Sequence, residues 1–282
     1  MDISGFPDAF DAATDAALGW LNDHGQFVFD RLHGLLEGFY GGILGVLQFA
    51  PFYVVAAILA VAAWRLLSVW SGVLTFAALT VCAAMGLWTE TMSTLALVVT
   101  ATCIALVVAI PTGVLAGSAP ALDQVLEPIL DLIQTLPPYI YLLPAIALLG
   151  YGPATALVAT VVVAIPPALR LTSLGIRMTP NEFVELGRAS GITRWQMFFK
   201  IRLPFAMPSI MAGINQSLML AFGMVVIAGI VGSGGLGETI YKAIRTLDIA
   251  RSIDAAIAIV ILTIILDRLT QSAARSWQQA TR

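Results

Sequence analysis

Charge is what this sequence has least of. Asp, Glu, Lys and Arg make up 11% of its 282 residues, where a water-soluble domain carries roughly 25%, so the chain cannot solvate its own surface in water. The 14 basic residues form no polybasic block, which argues against a nucleic acid partner. Histidine occurs twice, as His24 and His33, and no neighbour completes a metal site at either. Cys82 and Cys103 lie in apolar runs without paired spacing or a nearby histidine, and read as small buried hydrophobes. No GxxxxGK[ST] phosphate loop occurs: Lys200 follows Phe199 and Lys242 follows Tyr241, so the chain is not expected to hydrolyse nucleotide by itself. The run Gly232 to Gly237 is glycine-rich but follows an apolar stretch, and a turn or close helix packing explains it better than phosphate binding. Met1 to Phe10 has no basic stretch of the kind that opens a cleavable signal peptide.

Apolar length is what the sequence has in abundance. Hydrophobic residues reach 59% and the mean hydropathy is +0.91. Long unbroken apolar runs exclude an outer-membrane barrel, which needs alternating segments of about 10 residues. The expected fold class is therefore an all-α integral membrane protein. A crossing helix needs about 20 apolar residues, and seven stretches qualify: 43–63, 67–88, 92–117, 132–150, 153–169, 207–232 and 252–269. Pro137, Pro138 and Pro144 predict a kinked or broken helix in the fourth. Asp254 and Asp267 are expected at the interfaces of the last, or facing protein.

No ionisable residue occupies the centre of these spans, which disfavours an ion-coupled carrier, although ion sites built from carbonyls of broken helices stay open. A nucleophile, carboxylate pair or metal cluster at bilayer depth is also missing, so a non-catalytic chain is expected.

Orientation follows from the basic residues, which favour the cytoplasmic side of short loops. Arg170, Arg177, Arg188, Arg194, Lys200 and Arg202 cluster in 170–202, which places that loop inside and, with seven crossings, the N-terminus outside and the C-terminus in the cytoplasm. Residues 1–42 carry seven acids against one arginine and alternate apolar and polar stripes at helical spacing, as in Phe29, Leu32, Leu36 and Phe39 opposite Gln26, Asp30, His33 and Glu37. One or two helices lying in the outer membrane interface are expected there. Asp123, Glu127 and Asp131 form a stripe whose default reading is a solvated face, with a partner contact as its rival.

The most explicit local chemistry lies in 179–204, TPNEFVELGRASGITRWQMFFKIRLP. Thr179 is a candidate N-cap, Pro180 fits the first turn, and Glu182 can close a capping box. Gly191 supplies a left-handed C-cap, and Thr193 with Gln196 forms a second capping box opening a short helix that reaches Pro204. The result is a compact helix, glycine turn and helix, with Phe183, Leu186, Trp195 and Phe198 available for docking.

Glu185, then Gly191, then Ile201-Arg202-Leu203-Pro204 resembles the EAA loop of binding-protein-dependent ABC importer permeases, with Leu186 and Gly187 in place of its two alanines. Residues 129–144 and 211–237, with Asp267 to Gln271, are similar to the glycine betaine/proline betaine (quaternary amine) branch of that family, and the resemblance covers roughly residues 40–272. It implies a five-helix type I permease core and a division into an interfacial segment 1–42, a two-helix scaffold 43–90, a permease domain 91–272 and a tail 273–282. It further implies residence in a bacterial inner membrane, pairing with a second permease copy, two ATPase subunits that bind ATP and Mg, and an extracytoplasmic binding protein that delivers solute. Coupling to the ATPase would rest on Glu182, Glu185, Arg188, Gly191, Ile201, Leu203 and Pro204.

The pore is less legible. Asn215, Gln216 and Ser217 are polar groups in an apolar stretch, suited to interhelical hydrogen bonds first and to a solute path second. Tyr139 and Tyr141 offer aromatic faces to a trimethylammonium group, although belt or packing roles are the commoner use of such residues. The same machine carrying another small solute, such as an amino acid or a sulfonate, stays open, as does an ion-coupled carrier.

Overall fold

The structure is a computed structural model that describes residues 6–280. Among these residues all regular structure is helical: α1 (Phe6–Phe49), α2 (Phe52–Leu66), α3 (Val69–Ala84), α4 (Trp88–Ser118), α5 (Pro120–Thr135), α6 (Leu142–Leu149), α7 (Pro153–Arg177), α8 (Asn181–Ala189), α9 (Arg194–Met197), α10 (Leu203–Ala228), α11 (Gly235–Thr246) and α12 (Ile249–Ala280). A 3-10 turn at Pro138–Tyr141 separates α5 from α6, and a π turn at Phe198–Arg202 joins α9 to α10.

Among the described residues four stretches are long and apolar enough to cross a membrane: α4, α7, the continuous run Arg194–Val231 and α12. Two bent pairs would raise the number to six. The sequence pattern predicts seven, and the shortfall has a local cause at each point. The expected span 43–63 is interrupted at Pro51, whose missing N–H ends the helical ladder, so Asp23–Phe49 and α2 meet at 101°. These two cannot both run along the bilayer normal. The expected span 132–150 is broken at Leu136–Pro137, and α5 turns by 105° into the stretch Pro138–Leu149. The sequence pattern predicts that break, but α5 starts at Pro120, twelve residues before the expected span. Helix α3 has 16 residues, a rise of only about 24 Å.

The core is built on α7, sandwiched between α4 and α10. Small residues let the backbones approach: a side chain on Gly113 would meet the Leu169 carbonyl oxygen at 2.7 Å, and one on Gly175 would meet that of Ala206 at 2.9 Å. Dispersion between closely packed helices, rather than hydrophobic exclusion, is what holds spans together in lipid. Ser217 donates to the Ala164 carbonyl at 2.6 Å beside the Pro166-Pro167 pair, so this polar group serves a helix contact. Cys82 is buried, whereas Cys103 is exposed on the outer wall of α4, contrary to the expectation that both are core residues.

At the far end from α8, the glycine run makes a turn and a close crossing. Gly232, Gly234 and Gly235 all have positive φ. A side chain on Gly229 would lie 2.2 Å from the Gly237 carbonyl carbon, so the backbones touch with no room for a Cβ. The turn is closed by Glu238, whose carboxylate accepts from Gly234 N–H at 2.7 Å, and by Thr94, whose hydroxyl accepts from Leu236 N–H at 2.8 Å.

Candidate functional site: the hairpin between α7 and α10

The segment 179–204 folds as the expected helix, turn and helix. Helix α8 ends at Ala189 with Ser190 as its cap, and Gly191 follows at φ +69°. Gly191 N–H bonds the Arg188 carbonyl at 3.0 Å and Ile192 N–H bonds the Gly187 carbonyl at 3.2 Å, the paired closure of a Schellman motif. The second capping box is complete: Thr193 N–H donates to Gln196 Oε1 at 2.9 Å and Gln196 N–H donates to Thr193 Oγ1 at 3.3 Å.

The first capping box does not form. Pro180 occupies the cap position with extended backbone, and α8 begins at Asn181. Thr179 is buried and turns its hydroxyl back, donating to the Ile176 carbonyl at 3.0 Å. It closes the end of α7 instead of opening α8, which leaves Glu182 exposed with no cap to complete.

Gly187 is buried beneath the turn. A side chain there would meet Ile192 Cδ1, Met197 Cε and Ile201 Cδ1 at 2.8 to 2.9 Å. Ile201 therefore packs the π turn onto α8, and a glycine where the family pattern has alanine lets the two arms close more tightly. The π turn also resolves the proline problem at the root. Leu203 N–H bonds the Phe198 carbonyl, a five-residue step that widens the helix just where Pro204 cannot donate. The hairpin is thus continuous with α10 through Arg194–Val231, where the sequence pattern predicts a fresh start at Pro204.

Glu182, Glu185 and Arg188 are exposed, and Ile201, Leu203 and Pro204 are half-buried at the root. Glu185 and Arg188 have a pairable spacing, but no ion pair forms between them within 4 Å. Leu186 at 64% and Trp195 at 74% exposure form an apolar ridge with Phe199, on which Trp195 stacks at 5.9 Å. Phe183 rests instead on Phe205 at 4.9 Å, and Phe198 is half-buried. An exposed apolar ridge flanked by unpaired charges on a rigid hairpin has the make-up of a docking surface.

The same end of the molecule carries a charge ladder that departs from the default reading of the acid stripe. Asp123 accepts from Ser173 Oγ at 2.8 Å and pairs with Arg177, and Asp131 pairs with Arg170. Asp123 thus faces α7, whereas Asp131, although paired with Arg170, stays 60% exposed and Glu127 is exposed, as a solvated face would have it. A signal was present: Asp123 and Asp131 are eight apart and Arg170 and Arg177 seven apart, two helical turns in each case.

The candidate path residues separate into two kinds. Gln216 is exposed on α10, on one stripe with Ala212, Met219 and Gly223, and Tyr139 is 57% exposed on the 3-10 turn that packs against α10. Tyr141 donates its hydroxyl to the Ile133 carbonyl at 2.8 Å, bracing the α5–α6 break. Asn215 is turned into a network with α12: it donates to Asp267 Oδ1 at 3.0 Å and accepts from Thr270 Oγ1 at 2.9 Å, and Gln271 also donates to Asp267 at 2.8 Å.

Residues 109–279, which include this hairpin and both flanking helices, match the family of binding-protein-dependent transport system inner membrane components. The chain belongs to that family. It is 39% identical over 265 residues to the glycine betaine/proline betaine transport system permease protein ProW of Escherichia coli (strain K12), covering 94% of this chain and 75% of ProW. It is 40% identical over 258 residues to the glycine betaine transport system permease protein OpuAB of Bacillus subtilis (strain 168), covering 92% of each. In fold it is similar to a chain of the MetNI methionine ABC transporter in inward-facing conformations, with a TM-score of 0.56 and 25% identity over 67% of this chain and 93% of that one. As a component of this family, the chain presents α8 and α9 as its hairpin, which joins α7 to α10 through the π turn.

Proposed function

We propose that the chain is the membrane-spanning subunit of an ATP-driven, binding-protein-dependent importer for glycine betaine, proline betaine or a related quaternary ammonium osmoprotectant. The observation that carries this reading is the hairpin 179–204, in which the family's fixed positions coincide with the residues that shape it: Gly191 makes the turn and Ile201 locks the arms. The solute class rests on the names of ProW and OpuAB.

Two copies pair, and each hairpin docks on one of two ATPase subunits that bind ATP and Mg, with the Leu186–Trp195 ridge as the buried contact. Glu182, Glu185 and Arg188 flank that contact. Closure of the ATPases pushes the hairpin, and because α9 runs unbroken into α10, displacement passes to the stripe that holds Gln216. Solute delivered by an extracytoplasmic binding protein passes beside Gln216 and Tyr139 by alternating access. Asn215 and Tyr141 act as braces of that path. In this arrangement the hairpin end is cytoplasmic, the N-terminal side lies outside, and the first half of α1 rests in the outer interface.

The test is uptake of radiolabelled glycine betaine at high osmolarity, in cells lacking their own betaine systems, with the chain, its candidate ATPase and its candidate binding protein each omitted in turn. Uptake that needs all three is expected. Uptake by the chain alone, abolished by collapsing the ion gradient, would replace this reading with a self-sufficient carrier, and uptake of an amino acid or sulfonate in place of betaine would correct the solute.

A further inference from the structure

Behind the hairpin, where α7 ends and α8 packs against the π turn, lies a polar cavity of about 230 Å³ lined by Arg177, Thr179, Asn181, Glu185, Arg188 and Arg202. Three arginines and one glutamate are among its lining. Arg177 is matched outside the cavity by Asp123. Arg188 and Arg202 have no ion-pair partner among the described residues, and Arg202 Nε is buried with no hydrogen-bond acceptor. A buried charged donor left unpaired is strongly unfavourable, and a guanidinium cannot shed its proton to escape. With three arginines against one glutamate, these walls carry an excess of positive charge that a further anion would balance.

We propose that this cavity is a binding site for a phosphate group, held between Arg202 on the π turn and Arg188 on α8, with Asn181 also in its lining. A phosphate suits the geometry because its several acceptor oxygens can take donors converging from different elements, and the arginine fork matches adjacent oxygens of a tetrahedral anion. Gly117 and Ile176, near the ends of α4 and α7, also line the cavity, and free phosphate and a phospholipid headgroup are both sources of the same chemistry. Occupancy would tie α8 to the root of α10 from behind and stiffen the hairpin without touching its exposed ridge. The inference concerns binding alone and stands whether or not the chain carries a betaine.

The test uses the full-length chain in maltoside detergent, following its melting temperature as sodium phosphate is titrated against sodium chloride at matched ionic strength. Saturable stabilisation by phosphate is expected, with its midpoint raised at least tenfold in both Arg202→Gln and Arg188→Gln. Arg202→Gln is further expected to melt no lower than wild type in phosphate-free buffer, since it removes the buried Nε donor that has no acceptor. Arg188 is exposed, so its variant keeps the test alive if Arg202→Gln fails to fold. A second titration replaces phosphate by phosphatidylglycerol in mixed micelles: competition with phosphate assigns the site to a headgroup, and no effect of the lipid assigns it to the free anion. Stabilisation that is absent in wild type, or that persists undiminished in both variants as general salting-out does, would overturn the proposal.

Discussion

Asn215 and Asp267 are joined by a 3.0 Å hydrogen bond from the amide of one to the carboxylate of the other, across the contact between α10 and α12. Thr270 and Gln271, one turn further along α12, complete the network by donating to Asn215 and Asp267 respectively. A carboxylate between apolar helices is tolerated where amides satisfy it, and Asp267 has two of them.

Removing one of those amides has a defined consequence. Asn215→Leu leaves Asp267 with Gln271 as its amide donor and is expected to destabilise the chain by about 1–3 kcal/mol. Asn215→Asp, which sets two carboxylates face to face, is expected to cost more. Thermal melts of the purified chain in detergent decide it, and a wild-type melting temperature for Asn215→Leu would show that the bond carries no stability.

Gly191 sets the hairpin turn at φ +69°. A β-branched side chain resists that conformation by roughly 1–2 kcal/mol, while asparagine tolerates it. Gly191→Val is expected to lower coupled transport with membrane insertion unchanged, and Gly191→Asn to retain most of it. Uptake per inserted molecule is the readout, and equal uptake by both variants would contradict the role of the turn.

Much of this hairpin is legible in the sequence because its signals are local: Gly191 marks a turn within four residues of its bonds, and Thr193 with Gln196 closes a box across a single turn. Thr179 misleads for the same reason that makes it attractive. A hydroxyl before a helix can serve the helix that precedes it, and Pro180 decides the matter by holding the cap position in extended backbone. The helix breaks divide similarly: the consecutive prolines at 137 and 138 announce one, whereas lone Pro51 sits in an apolar run that reads as continuous. The partners of Asp267, Asp123 and Arg202 depend on which helices meet, and composition and spacing along one segment do not carry that information.

The ladder between α5 and α7 offers a ranking. Asp123 is 18% exposed and has two partners, Arg177 and Ser173, whereas Asp131 is 60% exposed and has Arg170. Exposed pairs contribute about 0–1 kcal/mol, so Asp131→Ala is expected to be nearly silent and Asp123→Ala clearly destabilising. Parallel melts of the two variants check the order, and the reverse order would mean that burial does not govern the ladder.

Glu238 supplies a pH dependence at the opposite end. The Lys242 ammonium at 2.5 Å, aided by Gly234 N–H, outweighs burial and holds its carboxyl below the usual carboxylate range. A carboxyl that ionises more readily in the folded state stabilises it above the ordinary carboxylate pKa, and that contribution disappears as pH falls through the lowered value. Acid melts of wild type are therefore expected to lose stability over that window, and Glu238→Gln to flatten the loss. An unchanged acid profile in the variant would locate the sensitivity elsewhere.

Contact between the hairpin ridge and an ATPase is tested most directly by cross-linking from Leu186→Cys, in a chain whose exposed Cys103 is replaced by serine. In the assembled complex the expected result is a cross-link to the ATPase that weakens or shifts on adding ATP and Mg. A fully assembled complex in which the Leu186→Cys thiol reaches only lipid or the second permease copy would contradict the assignment of 179–204 as the coupling element.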